Sequence, residues 1–206
     1  MNQASEKEQG IVYVVDDDRG VRDSLNLLLG SAGIVSEAFE SAAAFLAGFR
    51  PDRIGCLVAD IRMPGMSGLE LQQELNARKV EIPIVFITGH GDVPMAVNAM
   101  KAGAVDFLTK PFRNRDLLDR IEAALGSARA GFQDHEKLRE ARARYAALTP
   151  REAEVMELVV SGLANKVIAM DLGVSQRTVE LHRARVMQKM GVRSLAELVR
   201  LAESLK

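Results

Sequence analysis

Ile11-Val12-Tyr13-Val14-Val15-Asp16-Asp17-Asp18 sets five apolar residues directly before three carboxylates. Working outward, the pattern returns. Cys56-Leu57-Val58-Ala59 ends on Asp60, Ile82–Ile87 ends on Thr88, and Val105–Leu108 is followed two residues later by Lys110. Short apolar runs bounded by polar residues read as buried strands, and a weaker alternating strand is expected at Val35–Phe39. Helical spacing fills the gaps: Arg19–Ala32 closed by Gly33, Ala42–Phe49, Leu69–Arg78, Pro94–Ala102 and Arg115–Leu125. Pro83 has no N–H and makes the first residues of its strand irregular. Five strand–helix units in succession predict a parallel sheet covered by helices on both faces, an α/β fold.

From Arg144 onward no strand pattern remains. Pro150–Ser161, Ala164–Asp171, Gln176–Met190 and Leu195–Leu205 read as four helices, so an all-α domain follows the α/β one. The expected division is 11–125, a connecting segment 126–145, and 146–206. Within the connection Gly126 and Gly131 favour a flexible tether. Leu118, Ile121, Leu125, Ala128, Phe132 and His135, spaced three and four apart, favour a continuous helix with a heptad-like seam. Both readings stay open from the residues alone.

Charge follows the same division. Residues 1–125 carry 13 Lys and Arg against 18 Asp and Glu, whereas residues 146–206 carry 9 against 7. An acidic front and a mildly basic back suggest two modules with different partners. The composition, 48% hydrophobic and 27% charged, is that of a globular protein. The single cysteine, Cys56, excludes a disulfide framework and a cysteine zinc site. No run reaches the length of a membrane span and the first ten residues lack the apolar core of a secretory signal, so a cytoplasmic location is expected.

In a parallel sheet the carboxyl ends of the strands share one edge, where ligands bind. That edge would collect Asp16, Asp17, Asp60, Thr88 and Lys110. Crowded carboxylates repel unless neutralised, and a hard, oxygen-seeking divalent cation such as magnesium is the simplest partner. Asp60, held beside a metal, is a candidate nucleophile toward phosphorus, with Lys110 and the metal offsetting phosphoryl charge. Singly, each residue has a plainer role: a helix N-cap, a surface lysine, a strand end.

In the second domain, Thr149-Pro150-Arg151-Glu152 is a helix start with a capping box. A short helix, the turn Leu172-Gly173-Val174, and a helix capped by Ser175 give the helix-turn-helix layout. Arg177, His182, Arg183, Arg185 and Lys189 on the second helix suit phosphate contact. An ordinary charged face of a helical bundle is the alternative.

Val14-Val15-Asp16-Asp17, Asp60-x-Arg62-Met63-Pro64-Gly65, Thr88-Gly89-His90-Gly91-Asp92 and Lys110-Pro111-Phe112 resemble the receiver domain of bacterial response regulators over about residues 11–125. The run Ile87–Phe107 resembles the FixJ/StyR-type group in particular. This resemblance implies a flavodoxin-like, doubly wound five-stranded sheet. It implies Asp60 as phospho-acceptor, with Asp17, Asp60 and the Arg62 carbonyl as magnesium ligands and Asp16 contacting the metal through water. Thr88 and Lys110 would contact the phosphoryl group and Phe107 would be the aromatic switch. In that group phosphorylation exposes a dimerising surface, here about Pro94–Ala102 and Val105–Leu108.

Leu148-Thr149-x-Arg151-Glu152, Gly162-x-x-Asn165-Lys166-x-Ile168-Ala169 and Ser175-x-x-Thr178-Val179-x-x-His182 resemble the LuxR/NarL/GerE-type helix-turn-helix over residues 146–206. By that likeness Glu180, Leu181 and Ala184 face the groove. Thr178, Arg183 and Lys189 lie near the DNA backbone, Lys166 reaches a phosphate, and the helix at Leu195 makes a dimer contact. Glu180 replaces a lysine common in the wider family, and a carboxylate accepts from cytosine N4. The implied protein is a non-enzymatic transcriptional response regulator that at most slowly loses its own phosphoryl group. Its implied partners are a sensor histidine kinase, double-stranded promoter DNA, a second copy of the chain when phosphorylated, and RNA polymerase. A magnesium-dependent phosphohydrolase would need a second acid two residues after the nucleophile, where Arg62 stands, and a protein-only signalling module is the other alternative.

Overall fold

The computed structural model describes residues 10–51, 53–89 and 93–205. They form two compact units, divided between Phe132 and Gln133. In the first unit, strands β1 (Ile11–Val15), β2 (Val35–Phe39), β3 (Gly55–Asp60), β4 (Ile84–Thr88) and β5 (Asp106–Thr109) make one sheet in the order β2-β1-β3-β4-β5. Every pairing is parallel. This is the doubly wound, flavodoxin-like arrangement, and its strand order reverses between β1 and β3.

The period-2 geometry of a strand splits the apolar runs between two faces. Ile11, Tyr13, Val15, Leu57, Ala59 and Phe86 enter one core, whereas Val12, Val14, Cys56, Val58, Val85 and Ile87 enter the other. Helices α1 (Arg19–Ser31), α2 (Ala42–Gly48), α3 (Gly68–Ala77) and α4 (Val93–Lys101) connect the strands. Leu25 and Leu29 of α1 cover the second face, and Phe45 of α2 and Leu71 and Leu75 of α3 cover the first. β4 begins at Ile84, two residues later than the apolar run, because Pro83 interrupts the ladder's donors. The same strand carries Thr88, and β3 carries Asp60, as their last residues. β5 ends at Thr109, so Lys110 follows it directly.

Helix α5 runs unbroken over Asn114–Ala146, through the whole of 126–145. Leu117, Ile121, Ala124 and Leu125 bury its first turns against the sheet. Gly126 and Gly131 each cost about 1 kcal/mol relative to alanine in a helix interior. Local pairs offset part of that: Asp134 with Lys137 at 3.0 Å and Glu140 with Arg144 at 3.1 Å.

The second unit adds α6 (Pro150–Val160), α7 (Asn165–Asp171), α8 (Gln176–Met190) and α9 (Leu195–Ser204). Thr149 and Glu152 form the expected capping box at α6. Gly173 takes a positive φ of 65° in the turn before α8, and Gly191 ends α8 at a φ of 69°. Val155, Met156, Val159, Ile168, Val179, Val186, Met190 and Leu198 close its core.

Candidate functional site

The β1 and β3 carboxyl ends lie at the strand-order reversal, where a crevice opens in such sheets. There one ligand atom each from Asp16, Asp17 and Asp60 falls within 4.8 Å of the others. The three carboxylates differ in what already occupies them. Asp16 is buried; its Oδ1 accepts from the Asp18 N–H at 2.9 Å and its Oδ2 from Lys110 Nζ at 2.8 Å. Asp60 is half-buried; Oδ1 accepts from the Ile61 N–H at 2.8 Å, and Oδ2 faces Lys110 Nζ at 3.8 Å. Asp17 is exposed. Asp18, the third acid of the run, stays out of the cluster: its Oδ1 accepts from the Gly20 and Val21 N–H groups and caps α1.

Burial pushes the Asp60 carboxyl above its ordinary range. The Lys110 ammonium pulls it back, the Asp16 charge raises it further, and the Ile61 and Arg62 N–H groups lower it. Lys110 thus lies closer to Asp16 than to Asp60, holding the one acid while remaining within reach of the other. Thr88 is buried at the end of β4, and its backbone carbonyl accepts from the Lys110 N–H at 2.7 Å. Phe107 sits half-buried on β5, paired in register with Phe86 and packed against the first core. Arg62 is exposed beyond β3. Of the motif after Thr88, His90, Gly91 and Asp92 lie outside the described residues. Cys56 is buried and its thiol is pushed up to about 12, which leaves it inert near neutral pH.

Two supporting residues escaped the sequence reading. Gly68 starts α3, and a Cβ there would collide with the Asp60 carbonyl oxygen, so only glycine lets α3 approach the acid. Its signal was a glycine standing directly before the helix expected at Leu69–Arg78. Arg22, one turn into α1, donates from Nη1 to the carbonyl oxygens of Asp16 at 2.7 Å and Asp17 at 2.9 Å. A basic residue five positions beyond Asp17 was the available signal.

In the second unit, Arg177, Glu180, Leu181, Ala184 and Arg185 are exposed on α8, opposite buried Val179, Val186 and Met190. At 3.6 residues per turn the exposed residues share one face, which Gln188, also exposed, extends. Lys166 is exposed on α7. Ser175 caps α8, accepting from the Thr178 N–H at 3.1 Å, and the two hydroxyls lie 2.8 Å apart. Two residues expected near a DNA backbone make bonds within the protein. Arg183 is half-buried and bonds the Asn165 side chain. Lys189 Nζ reaches Glu152 Oε2 at 2.6 Å and the Ala147 carbonyl at 3.1 Å. For Lys189 the physical reason is Glu152: its carboxylate is almost fully buried by the capping box and needs a cation. The Lys189 bond first, and the Thr149 N–H next, hold that carboxyl down at about 2.

The comparisons agree with both halves. The family model described as response regulator receiver domain covers residues 12–122, and that of bacterial regulatory proteins, luxR family, covers residues 146–202. The transcriptional regulatory protein FixJ of Bradyrhizobium diazoefficiens is 49% identical, over 94% of this chain and 95% of its own. FixJ of Azorhizobium caulinodans is 54% identical, over 93% of this chain and 90% of its own. The solved response regulator StyR is 51% identical, spans 95% of this chain and 98% of its own, and superposes with a TM-score of 0.85. Among the described residues no helix is long and apolar enough to cross a membrane. The chain belongs to the response regulators that join a receiver domain to a LuxR-type DNA-binding domain, as a FixJ-like transcriptional regulator.

Proposed function

We propose that Asp60 is the phosphoryl acceptor of this regulator and that magnesium is held by Asp17, Asp60 and the Arg62 carbonyl. The observation that carries the reading is the three-carboxylate cluster with Lys110 on its edge. The donor set is all oxygen, which suits a small hard cation that keeps several waters. Asp16 has both oxygens occupied, so it suits contact through water; exposed Asp17 and Asp60 Oδ2 are the freer atoms. Bound magnesium would supply charge compensation for the transferring phosphoryl oxygens. An Asp60 oxygen bonds phosphorus as the phosphorus–nitrogen bond of a sensor kinase's phosphohistidine breaks. Lys110 Nζ stabilises the arriving anion, and the Thr88 hydroxyl donates to it. Phe107 follows the movement of β5.

The output is pairing and promoter binding. Val97, Met100 and Val105 leave apolar side chains exposed around α4 and the start of β5, which supports pairing of phosphorylated copies there. Arg177, Glu180, Leu181, Ala184 and Arg185 would enter the major groove of two half-sites, with Lys166, Ser175 and Thr178 at phosphates. Arg183 and Lys189 serve by fixing α8. RNA polymerase is the further partner, the chain works in the cytoplasm, and residues 11–125, 126–145 and 146–206 act as receiver, helical connector and DNA-binding domain. Hydrolysis of the acyl phosphate is slow, because Arg62 occupies the place where a phosphohydrolase has its second acid.

Incubation with acetyl phosphate and magnesium, followed by intact-mass measurement, tests the acceptor. One phosphoryl group is expected on the parent and none on Asp60→Ala. Equal labelling of the variant would remove Asp60 from the role. A mass in solution that stays constant on labelling would remove the pairing step.

A further inference from the structure

The carboxylate of Asp17 has no side-chain hydrogen bond or ion pair among the described residues, yet it is one of the two atoms freest to meet a cation. Something else must fix its direction. The Asp16 carbonyl belongs to the peptide before the Asp17 Cα, and the Asp17 carbonyl to the peptide after it. Arg22 Nη1 bonds both, at 2.7 Å and 2.9 Å. Holding the two peptide planes on either side of one Cα fixes the two soft backbone torsions there, and with them the Cα–Cβ direction. The arginine is itself steadied, since α1 is capped by Asp18 and lies on the sheet through Leu25 and Leu29.

We propose that Arg22 is a positioning residue for divalent-cation binding, acting through the backbone of Asp17. The proposal rests on the reading that Asp17 and Asp60 ligate magnesium. It makes a prediction of sign. A guanidinium beside a cation site repels the cation, so if Arg22 mattered only through its charge, removing it would tighten magnesium binding. If it mattered by orientation, removing it would weaken binding. The loss of a partner that orients a metal ligand typically costs about 10- to 100-fold in affinity.

The experiment is calorimetric titration of the full chain with magnesium alone, for the parent, Arg22→Met, Arg22→Gln, Arg22→Lys and Asp17→Asn. Thermal unfolding in metal-free buffer selects the variants that fold; Arg22→Gln and Arg22→Lys are smaller perturbations should Arg22→Met not fold. Expected are a roughly tenfold or greater loss for the neutral variants and substantial recovery for Arg22→Lys, which keeps a donor. At saturating magnesium, the neutral variants should label with acetyl phosphate at the parent's rate. If Asp17→Asn binds magnesium as the parent does, the underlying ligand assignment fails. If Asp17→Asn loses binding but the neutral Arg22 variants bind equally or more tightly, the positioning role is overturned. Slow labelling that persists at saturating magnesium also overturns it, because the arginine would then act on the transfer step.

Discussion

Replacing Lys110 by methionine should destabilise the receiver unit in metal-free buffer, and a second change, Asp16→Asn, should restore most of the loss. Lys110 Nζ lies 2.8 Å from Asp16 Oδ2. At an effective dielectric constant of about 20 that separation corresponds to a Coulomb energy of roughly 6 kcal/mol, before any desolvation is subtracted. Removing one partner of a buried pair typically costs about 3–5 kcal/mol, because the other charge stays buried alone. The Asp16 side chain is 1% exposed but that of Lys110 is 25% exposed, so water screens one side of the pair. The loss is therefore placed at about 2–3 kcal/mol, below the fully buried range. In Asp16→Asn the amide carbonyl still accepts from the Asp18 N–H, and residue 16 no longer carries a buried charge without a cation. Neutralising the acid also relieves its repulsion with Asp60 and Asp17.

The assay is urea unfolding read by hydrogen exchange of peptides from β3 and β4, which report the receiver unit alone. Parent, both single variants and the double variant form a cycle, run with chelator and again with magnesium. A coupling of about 1.5 kcal/mol or more is expected in chelator. With magnesium the cost of Lys110→Met should shrink, since another cation then offsets the cluster. If Lys110→Met is as stable as the parent in chelator, or if the two changes are additive, the lysine does not hold Asp16 in solution and the account of the resting site is wrong.

Asp60→Asn should raise receiver stability in chelator at neutral pH. Burial raises the Asp60 pKa, so its contribution is most favourable at acid pH and is lost as pH rises through the folded value; the gain from asparagine should vanish at acid pH. Glu152 has the opposite sign. Its carboxyl is held at about 2, so the stability it lends the helical unit is present above the ordinary carboxylate range and falls away toward pH 2. Glu152→Gln should flatten that acid limb, as measured by circular dichroism. Lys166→Ala should reduce the slope of log affinity for DNA against log salt by about 0.9, as expected of one lost phosphate contact. Lys189→Met should leave the slope unchanged and lower the melting temperature, and a slope change of the same size would mean that its ammonium faces DNA after all. Gly68→Ala should slow acetyl phosphate labelling by displacing the Asp60 backbone, whereas unchanged labelling would show that α3 yields instead.

The sheet was legible because each strand is a compact apolar run whose alternate residues enter two separate cores. The strand-end acids were legible for the same reason: once the strands are parallel, Asp16, Asp17 and Asp60 must share an edge. The region 126–145 was not. Its two glycines and its spaced apolar residues pull in opposite directions by similar amounts, and side-chain pairs such as Glu140–Arg144, weak one by one, shift the balance toward helix. Lys189 and Arg183 show another limit. Helical position gives the angle of a side chain, but the partners are set far off in sequence: a buried acid, Glu152, thirty-seven residues away for Lys189, and Asn165 on α7 for Arg183. Arg22 was missed because its contacts are to carbonyls, which every residue has and no pattern marks.

On the proposed reading, these contacts give one added phosphoryl group a route to β5 without any large local collapse. Lys110 divides its charge between two acids, near at 2.8 Å and farther at 3.8 Å. Phosphorylation of Asp60 would exchange its single charge for the roughly double charge of a phosphoryl group. The balance at the lysine then tips from Asp16 toward residue 60. Lys110 directly follows β5, and its N–H is bonded to the Thr88 carbonyl, so the ends of β4 and β5 are tied at this point. A shift of the ammonium therefore acts on the strand that carries Phe107, next to the exposed apolar residues at 97, 100 and 105. Asp16 would lose its cation in the same step, and magnesium held by Asp17 would supply its remaining charge compensation. The proposed switch would thus draw on the metal twice, once to admit the phosphoryl group and once to release the lysine, so the resting and phosphorylated states should differ in their response to magnesium removal.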